Sequence, residues 1–131
     1  MREILFRGKR LDNDLWEEGS LIFPLAHRQT DDPSIGDFWS MVRVDPVTVG
    51  QYTGLTDKNG TKIFEGDIVR ISLPLPSQDP ILGLSSVDFD NGCFMVTWGG
   101  SRAIFDSFVG DTTFEVIGNV HDNPEILEVK K

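Results

Sequence analysis

The sequence predicts an all-β fold, and two features of its composition lead to that class. Valine, isoleucine, phenylalanine, threonine, tryptophan and tyrosine, which favour pleated sheets, make up about a third of the 131 residues. Alanine, the best helix former, occurs only twice. Thirteen glycines and seven prolines are spread along the chain at turn-like intervals, which is typical of many short strands joined by turns.

An N-terminal hairpin region is predicted over residues 1–46. Asp12-Asn13-Asp14 supplies turn chemistry between two extended stretches, so residues 1–23 are typical of a β-hairpin. Residues 24–37 are rich in turn-forming side chains and lack periodicity, which predicts a loop. A strand is expected over residues 38–44.

A second region is predicted over residues 47–131. Its first strands are expected at residues 47–53, 61–64 and 68–73. Asp57-Lys58-Asn59-Gly60 and Glu65-Gly66-Asp67 separate these strands, because short polar side chains and glycine favour tight turns. Proline cannot donate to a strand ladder, so Pro46 is expected to begin a strand or lie on a sheet edge.

Residues 74–86 combine prolines with large apolar side chains. The stretch contains Pro74, Pro76, Pro80, Leu75, Ile81, Leu82 and Leu84. Three prolines argue against a central strand, and so many apolar residues argue against a plain linker. We therefore predict an ordered loop whose apolar side chains cover one end of the domain or contact a partner.

The clearest hairpin signal is Asn91-Gly92, which lies between two β-rich stretches at residues 87–90 and 93–98. Further strands are expected at residues 102–105 and 112–120. Asn123-Pro124-Glu125 then has the pattern of a helix start, which predicts a short C-terminal helical turn.

The sequence contains no motif that indicates catalysis, a cofactor or a metal site. Cys93 is the single cysteine, and His27 and His121 have no second ligand at metal spacing. The acidic turns do not satisfy the spacing of a calcium-binding loop, so hairpin turns explain them better. We therefore expect no catalytic, cofactor-binding or metal-binding residues, while an enzyme that uses Cys93 or paired carboxylates stays an alternative.

The net charge of −9 argues against a phosphate-binding surface, because binding to nucleic acid needs clustered lysine and arginine. Arg102 is the only cation among residues 71–129, which contain nine acids. A requirement for solubility explains this surplus of acidic residues. Two more specific alternatives are that the acidic surface docks a basic partner or that it mimics nucleic acid. Arg2, Arg7, Lys9 and Arg10 could form a basic N-terminal patch, but residues 1–30 are neutral overall, with five acids against five cations.

Four segments carry distinctive motifs: Met1–Arg10, Val49–Gly60 with its continuation through Ile63–Val69, Asp90–Phe94, and Phe114–Glu125. In this order they resemble the YopX family, small proteins of phages and prophages. The resemblance implies an all-β fold with a small SH3-like barrel in the C-terminal part. We place this barrel from about residue 47 onward, in one compact unit with the N-terminal hairpin region. It implies no assigned activity, cofactor or catalytic residue, and its motif residues are expected to serve the fold.

The function expected from these observations is that of a phage or prophage accessory protein that is not an enzyme and binds another protein, from host or phage. The candidate interaction surface consists of Trp39, Pro74, Leu75, Pro76, Ile81, Leu82, Trp98 and Phe105. Homo-oligomerisation through strand edges is possible in this fold class. Nucleic acid and membrane are not expected partners, and the single cysteine and the lack of an apolar leader or span predict a cytoplasmic location.

Overall fold

The computed structural model of the chain describes residues 3–22, 32–36, 40–98, 101–104 and 112–128. Across these ranges nearly all regular structure is β, which confirms the predicted fold class. The chain divides into two compact units, Met1–Gly54 and Leu55–Lys131. The sequence-based division after residue 46 stays a prediction, as does the SH3-like barrel.

An antiparallel sheet forms the first unit. Its strands are β1 (Phe6–Lys9), β2 (Trp16–Ile22), β3 (Ser34–Gly36), β4 (Met41–Arg43) and β5 (Gly50–Thr56), in the spatial order β4-β3-β2-β1-β5. β1 pairs with β2, and Lys9 lies opposite Trp16, so the predicted N-terminal hairpin is confirmed. Close packing explains Gly8, because a Cβ there would lie 3.0 Å from Val44 Cβ.

Two local predictions in the first unit are wrong. The predicted loop at residues 24–37 contains strand β3, because Ile35 is fully buried and pairs with strands on both sides. Pro46 neither begins a strand nor lies on a sheet edge. Pro46–Thr48 forms a 3₁₀ turn, since the Asp45 side chain accepts a hydrogen bond from Val47 N at 3.1 Å and caps it. Residues 24–31 lie outside the described residues.

The second unit contains two three-stranded sheets and the short strand β6 (Lys62–Phe64), which belongs to neither of them. The strands of the two sheets are β7 (Asp67–Leu75), β8 (Gln78–Ser86), β9 (Asp88–Asp90), β10 (Cys93–Trp98), β11 (Ser101–Ile104) and β12 (Thr113–Asn119), and helix α1 (Glu125–Glu128) follows them. The sheet orders are β12-β7-β8 and β11-β10-β9. The predicted helical turn is confirmed, and Ile126 N donates to Asn123 O at its start.

The core of the second unit is formed by Ile63, Val69, Ile71, Val87 and Val96, all fully buried. Partly buried side chains pack around them: Phe94, Ala103, Phe114 and Val116. Burial of one such aliphatic side chain contributes roughly 1.5–3 kcal/mol before chain entropy is counted. This cluster joins strands from both sheets and fixes the positions of the surfaces described below.

The hairpin predicted at Asn91-Gly92 is confirmed. Asn91 and Gly92 have φ values of 52° and 79°, and Asp90 lies opposite Cys93 in the flanking ladder. Two successive positive φ values are those of a type I′ turn, whose twist matches that of paired strands.

The loop predicted at residues 74–86 is wrong, because these residues form the end of β7, a turn and the whole of β8. The register explains how prolines are tolerated. Leu73 pairs with Ile81 and Leu75 with Gln78, which leaves Pro74 opposite both Asp79 and Pro80 in a β-bulge. A bulge needs no ladder hydrogen bond from these residues, so the missing proline N–H groups cost little there.

Candidate interaction surface

The outer end of the β7–β8 hairpin is the candidate interaction surface. We refer to residues 74–82 as the arm. Its tip is a two-residue turn at Pro76 and Ser77, and Ser77 has a φ of 62°. Proline followed by a residue of positive φ is the pattern of a type II turn, in which proline sets the first central φ.

The arm is exposed on both faces. Every residue from Pro76 to Leu82 is exposed, including Ile81 at 47% and Leu82 at 62%. Asp79 is the only charged residue of the arm, although the chain carries 33 charged side chains. An apolar and nearly uncharged projection is costly to leave in water, which makes it a candidate contact surface.

One face of the arm continues the core of the second unit. Val69 and Ile71 of β7 are fully buried, and the next residue on that face, Leu73, is half-buried. Ile81 pairs with Leu73 and is half exposed. The apolar row of the core therefore extends along the hairpin beyond the point at which described side chains cover it.

The opposite face carries a shallow cavity of about 190 Å³, lined by Arg70, Leu82, Gly83 and Leu84. Arg70 Nη1 contacts Glu115 Oε1 at 3.2 Å, and Lys58 Nζ lies 3.7 Å from the same oxygen. Arg70 and Lys58 are about half exposed and Glu115 is partly exposed, so each ion pair contributes at most about 1 kcal/mol. They place charge beside the apolar surface.

The structure brings five of the predicted surface residues together on or beside the arm: Pro74, Leu75, Pro76, Ile81 and Leu82. Trp98 ends β10, and its side chain is not described. Trp39 and Phe105 lie outside the described residues. The role of all eight residues in binding stays a prediction.

Sequence analysis did not single out several other exposed apolar residues, among them Phe89 of β9 and Ile104 of β11. The Phe89 ring contacts the Phe94 ring edge-on at a centroid distance of 5.1 Å. The sequence offered no signal for the exposure of Phe89, because an apolar residue between two aspartates in a strand is expected to face the core.

A buried carboxylate organises the strongest turn motif. Asp57 is 7% exposed, and its Oδ1 accepts hydrogen bonds from Asn59 N at 2.8 Å and Thr61 N at 2.9 Å. Its Oδ2 accepts from Val116 N of β12 at 2.9 Å. We call these four residues the Asp57 clamp. Burial alone would raise the pKa of Asp57, but the backbone N–H groups of Val116, Thr61 and Asn59, with a smaller contribution from the charge of Lys58, lower it.

The second turn motif has a similar structural role. Asp67 is 2% exposed, and its Oδ2 accepts from Phe64 N at 2.7 Å. Gly66 has a φ of 93°; its N–H donates to Val87 O, and its carbonyl accepts from Val120 N. The turn therefore joins three separate segments through its backbone.

The third motif, near the C-terminus, ends β12. Asn119 Oδ1 accepts from the backbone N–H groups of His121 and Asp122 at 3.0 and 2.9 Å. Asn123 Oδ1 lies close behind, so a Cβ at Gly118 would be 2.7 Å from it. The side-chain oxygens of Asn119 and Asn123 thus accept hydrogen bonds from backbone N–H groups.

The described residues contain no group of three or more His, Cys, Asp or Glu side chains arranged to hold a metal ion. Cys93 is a free, half-buried thiol.

The basic residues of the first unit contact their own hairpin. The Arg7 guanidinium lies 4.6 Å from the Trp16 ring centroid, and Lys9 Nζ lies 5.7 Å from it. Arg10 makes two hydrogen bonds of 2.9 Å with the Asp12 carboxylate. Cation–π contacts and ion pairs thus engage three of the four cations once considered for nucleic acid. Arg2 lies outside the described residues.

No described helix has the length and apolar character needed to cross a membrane.

Comparison with known proteins supports the fold and the family. A family model described as "YopX protein" matches residues 9–128, so the family predicted from the sequence motifs is confirmed. Among solved structures, the crystal structure of protein EF1440 from Enterococcus faecalis is similar, with a TM-score of 0.60 and 22% sequence identity, over 97% of this chain and 99% of that chain. This likeness shows the fold alone. A search of curated proteins found no match.

Proposed function

Because the chain belongs to the YopX family, we propose that it is a non-enzymatic phage or prophage accessory protein that binds another protein through the arm. The observation that carries this proposal is the exposure of an apolar, nearly uncharged hairpin end on a chain of net charge −9. The partner is a protein of host or phage that offers an apolar groove. A reducing cytoplasm fits the single cysteine, and an SH3-like barrel is the architecture proposed for the second unit.

The arm docks through its side chains and not by adding a strand. Strand addition requires backbone N–H groups along an open edge, and Pro74, Pro76 and Pro80 have none. The bulge also interrupts the regular ladder at Pro74. Leu82 and Ile81 point to opposite faces of the hairpin, since successive residues of a strand alternate. Insertion into a groove would bury both.

A non-enzymatic role is supported by how the motif carboxylates are used. General acid–base catalysis needs a carboxylate that can reach a substrate. Asp57 and Asp67 instead accept hydrogen bonds from backbone N–H groups and are almost completely buried. Their shared role is to join segments of the fold.

Affinity capture with matched variants tests this function. Wild-type protein, the double variant Ile81→Ser/Leu82→Ser and the control Leu15→Ser would each be used to capture proteins from host cells, followed by quantitative mass spectrometry. Leu15 is 63% exposed and lies outside the arm, so it matches Leu82 at 62%. We expect one captured protein that the control retains and the double variant loses by at least about tenfold, which is about 1.4 kcal/mol.

Binding is then measured with the purified partner. Equal capture by all three proteins, or loss with Leu15→Ser alone, would contradict the choice of surface. A wild-type protein that forms dimers, and a double variant that does not, would identify a second copy of the chain as the occupant. Retention on DNA that decreases steeply with salt would favour a nucleic-acid role instead.

A further inference from the structure

Two Asn-Gly pairs lie in exposed turns of the second unit, at Asn59-Gly60 and Asn91-Gly92. A Cβ placed on Gly60 or Gly92 would have no atom within 4 Å, so both sites are sterically open. Both glycines also have positive φ values, 83° and 79°. The two pairs are therefore matched in sequence, exposure and local crowding.

Their hydrogen bonds differ. Gly60 N–H donates to Asp57 O at 3.0 Å, and Asn59 N–H donates to Asp57 Oδ1 at 2.8 Å. At the other pair the ladder between β9 and β10 begins at Asp90 and Cys93, and Gly92 N–H donates to no described residue. The backbone nitrogen of Gly92 is thus available, whereas that of Gly60 is held by the turn that carries the Asp57 clamp.

We propose that Asn91 is a site of spontaneous deamidation and that the hydrogen bonds of the Asp57 turn, above all that from Gly60 N to Asp57 O, protect Asn59 from the same reaction. Gly92 N attacks Asn91 Cγ, which forms an N–Cγ bond. The Cγ–Nδ2 bond breaks, and the amide leaves as ammonia with the proton lost from Gly92 N. Water then opens the cyclic imide at either carbonyl and leaves aspartate or isoaspartate at position 91.

The modification changes the hairpin in two ways. It adds one negative charge to a sheet that already carries Asp88 and Asp90. The isoaspartate product also adds a methylene to the main chain of a two-residue turn, which alters the register on which the edge contact of Phe89 with Phe94 depends.

Peptide mapping by mass spectrometry tests the inference on the full-length protein. Folded protein is incubated in mildly alkaline buffer, and the one-dalton mass increase at each asparagine is followed with time. A parallel sample is unfolded in urea. We expect Asn91 to react at least about fivefold faster than Asn59 in the folded protein, since one held hydrogen bond is worth a factor of this order. The two rates should converge in urea.

The comparison within one molecule removes differences in buffer and concentration. Gly92→Ala, measured in urea where the positive φ of the folded turn is not required, is the chemical control, because a side chain beside the attacking nitrogen slows imide formation at Asn91 while leaving Asn59 unchanged. Equal rates in the folded protein, a faster reaction at Asn59, or a difference that persists in urea would each overturn the inference. Isoaspartate at position 91, distinguished from aspartate by fragmentation, would identify the imide route.

Discussion

The Asp57 clamp and the arm lie in the same compact unit but use their residues in opposite ways. In the clamp, one carboxylate satisfies three backbone N–H groups and is 7% exposed. In the arm, Ile81 and Leu82 are about half exposed or more, and the described residues do not cover them. The motifs that identify the family lie in the clamp and similar turns. Motif strength therefore indicates residues that serve the fold, and the surface available for binding lies elsewhere.

The largest expected effect is that of Asp57→Ala in the clamp. The substitution leaves three backbone N–H groups without their acceptor, so we expect the free energy of unfolding to fall by about 4 kcal/mol. Urea unfolding measures this change. Asp79→Asn, a carboxylate change in the arm, is the matched control and should alter stability by less than about 0.5 kcal/mol. Equal effects would end the distinction between the two regions.

A pair of isoleucines in one hairpin sharpens the comparison. Ile71 is fully buried and Ile81 is 47% exposed, although both lie on the same face of the β7–β8 pair. Ile71→Ala should destabilise the protein by about 3 kcal/mol, because it removes packed methyl groups and leaves a cavity. Ile81→Ala should cost less than about 1 kcal/mol. A large loss at Ile81 in thermal unfolding would mean that the arm is part of the core.

The C-terminal motif offers an effect of intermediate size. A Cβ at Gly118 would lie 2.7 Å from Asn123 Oδ1 and 3.0 Å from Ile126 Cδ1, so Gly118→Ala should cost about 2 kcal/mol through overpacking. Asn123→Ala in the same chain should recover part of the loss, since it removes the closest atom. A double-mutant cycle measures this coupling, and strict additivity would show that the contact is not the cause.

The smallest expected effect is the pH dependence that Asp57 gives to stability. Its pKa in the folded protein is lowered from the ordinary aspartate value of about 3.9, so the folded state binds fewer protons in acid. The contribution of the Asp57 carboxylate to stability is complete at pH values above the ordinary aspartate pKa of about 3.9. It is lost as the pH falls through the lower pKa of the folded state. Urea unfolding at several acidic pH values should show that the free energy of unfolding changes less steeply with pH for Asp57→Asn than for wild type.

A second aspartate provides the control for that experiment. The Asp12 carboxylate has a pKa lowered by its hydrogen bonds and charge interaction with Arg10, but it is solvent-exposed. Solvent screens such pairs, so Asp12→Asn should leave the acid slope nearly unchanged. A larger change for Asp12 than for Asp57 would contradict the burial argument.

Sequence reasoning succeeded where the determinant is local. The Asn91-Gly92 turn follows from the low steric cost of positive φ at those two residues. It failed at residues 74–86, because the tolerance of prolines there depends on the pairing register of two strands. It also could not find the partner of Asp57, since Val116 lies 59 residues along the chain. Five residues of the predicted interaction surface lie in the arm, and they follow from a stretch that is too apolar for a plain linker; their exposure is visible only in the structure.

The distance along the chain between Asp57 and Val116 also orders events during protein synthesis. A ribosome must add 59 residues after Asp57 before the last of its three donors exists. Until residues 113–119 emerge, β7 has no neighbour on its β12 side, whereas all described strands of the first unit end by Thr56. A nascent chain that stalls before residue 113 therefore presents a partly folded second unit, with both the open side of β7 and the apolar arm exposed to chaperones and proteases.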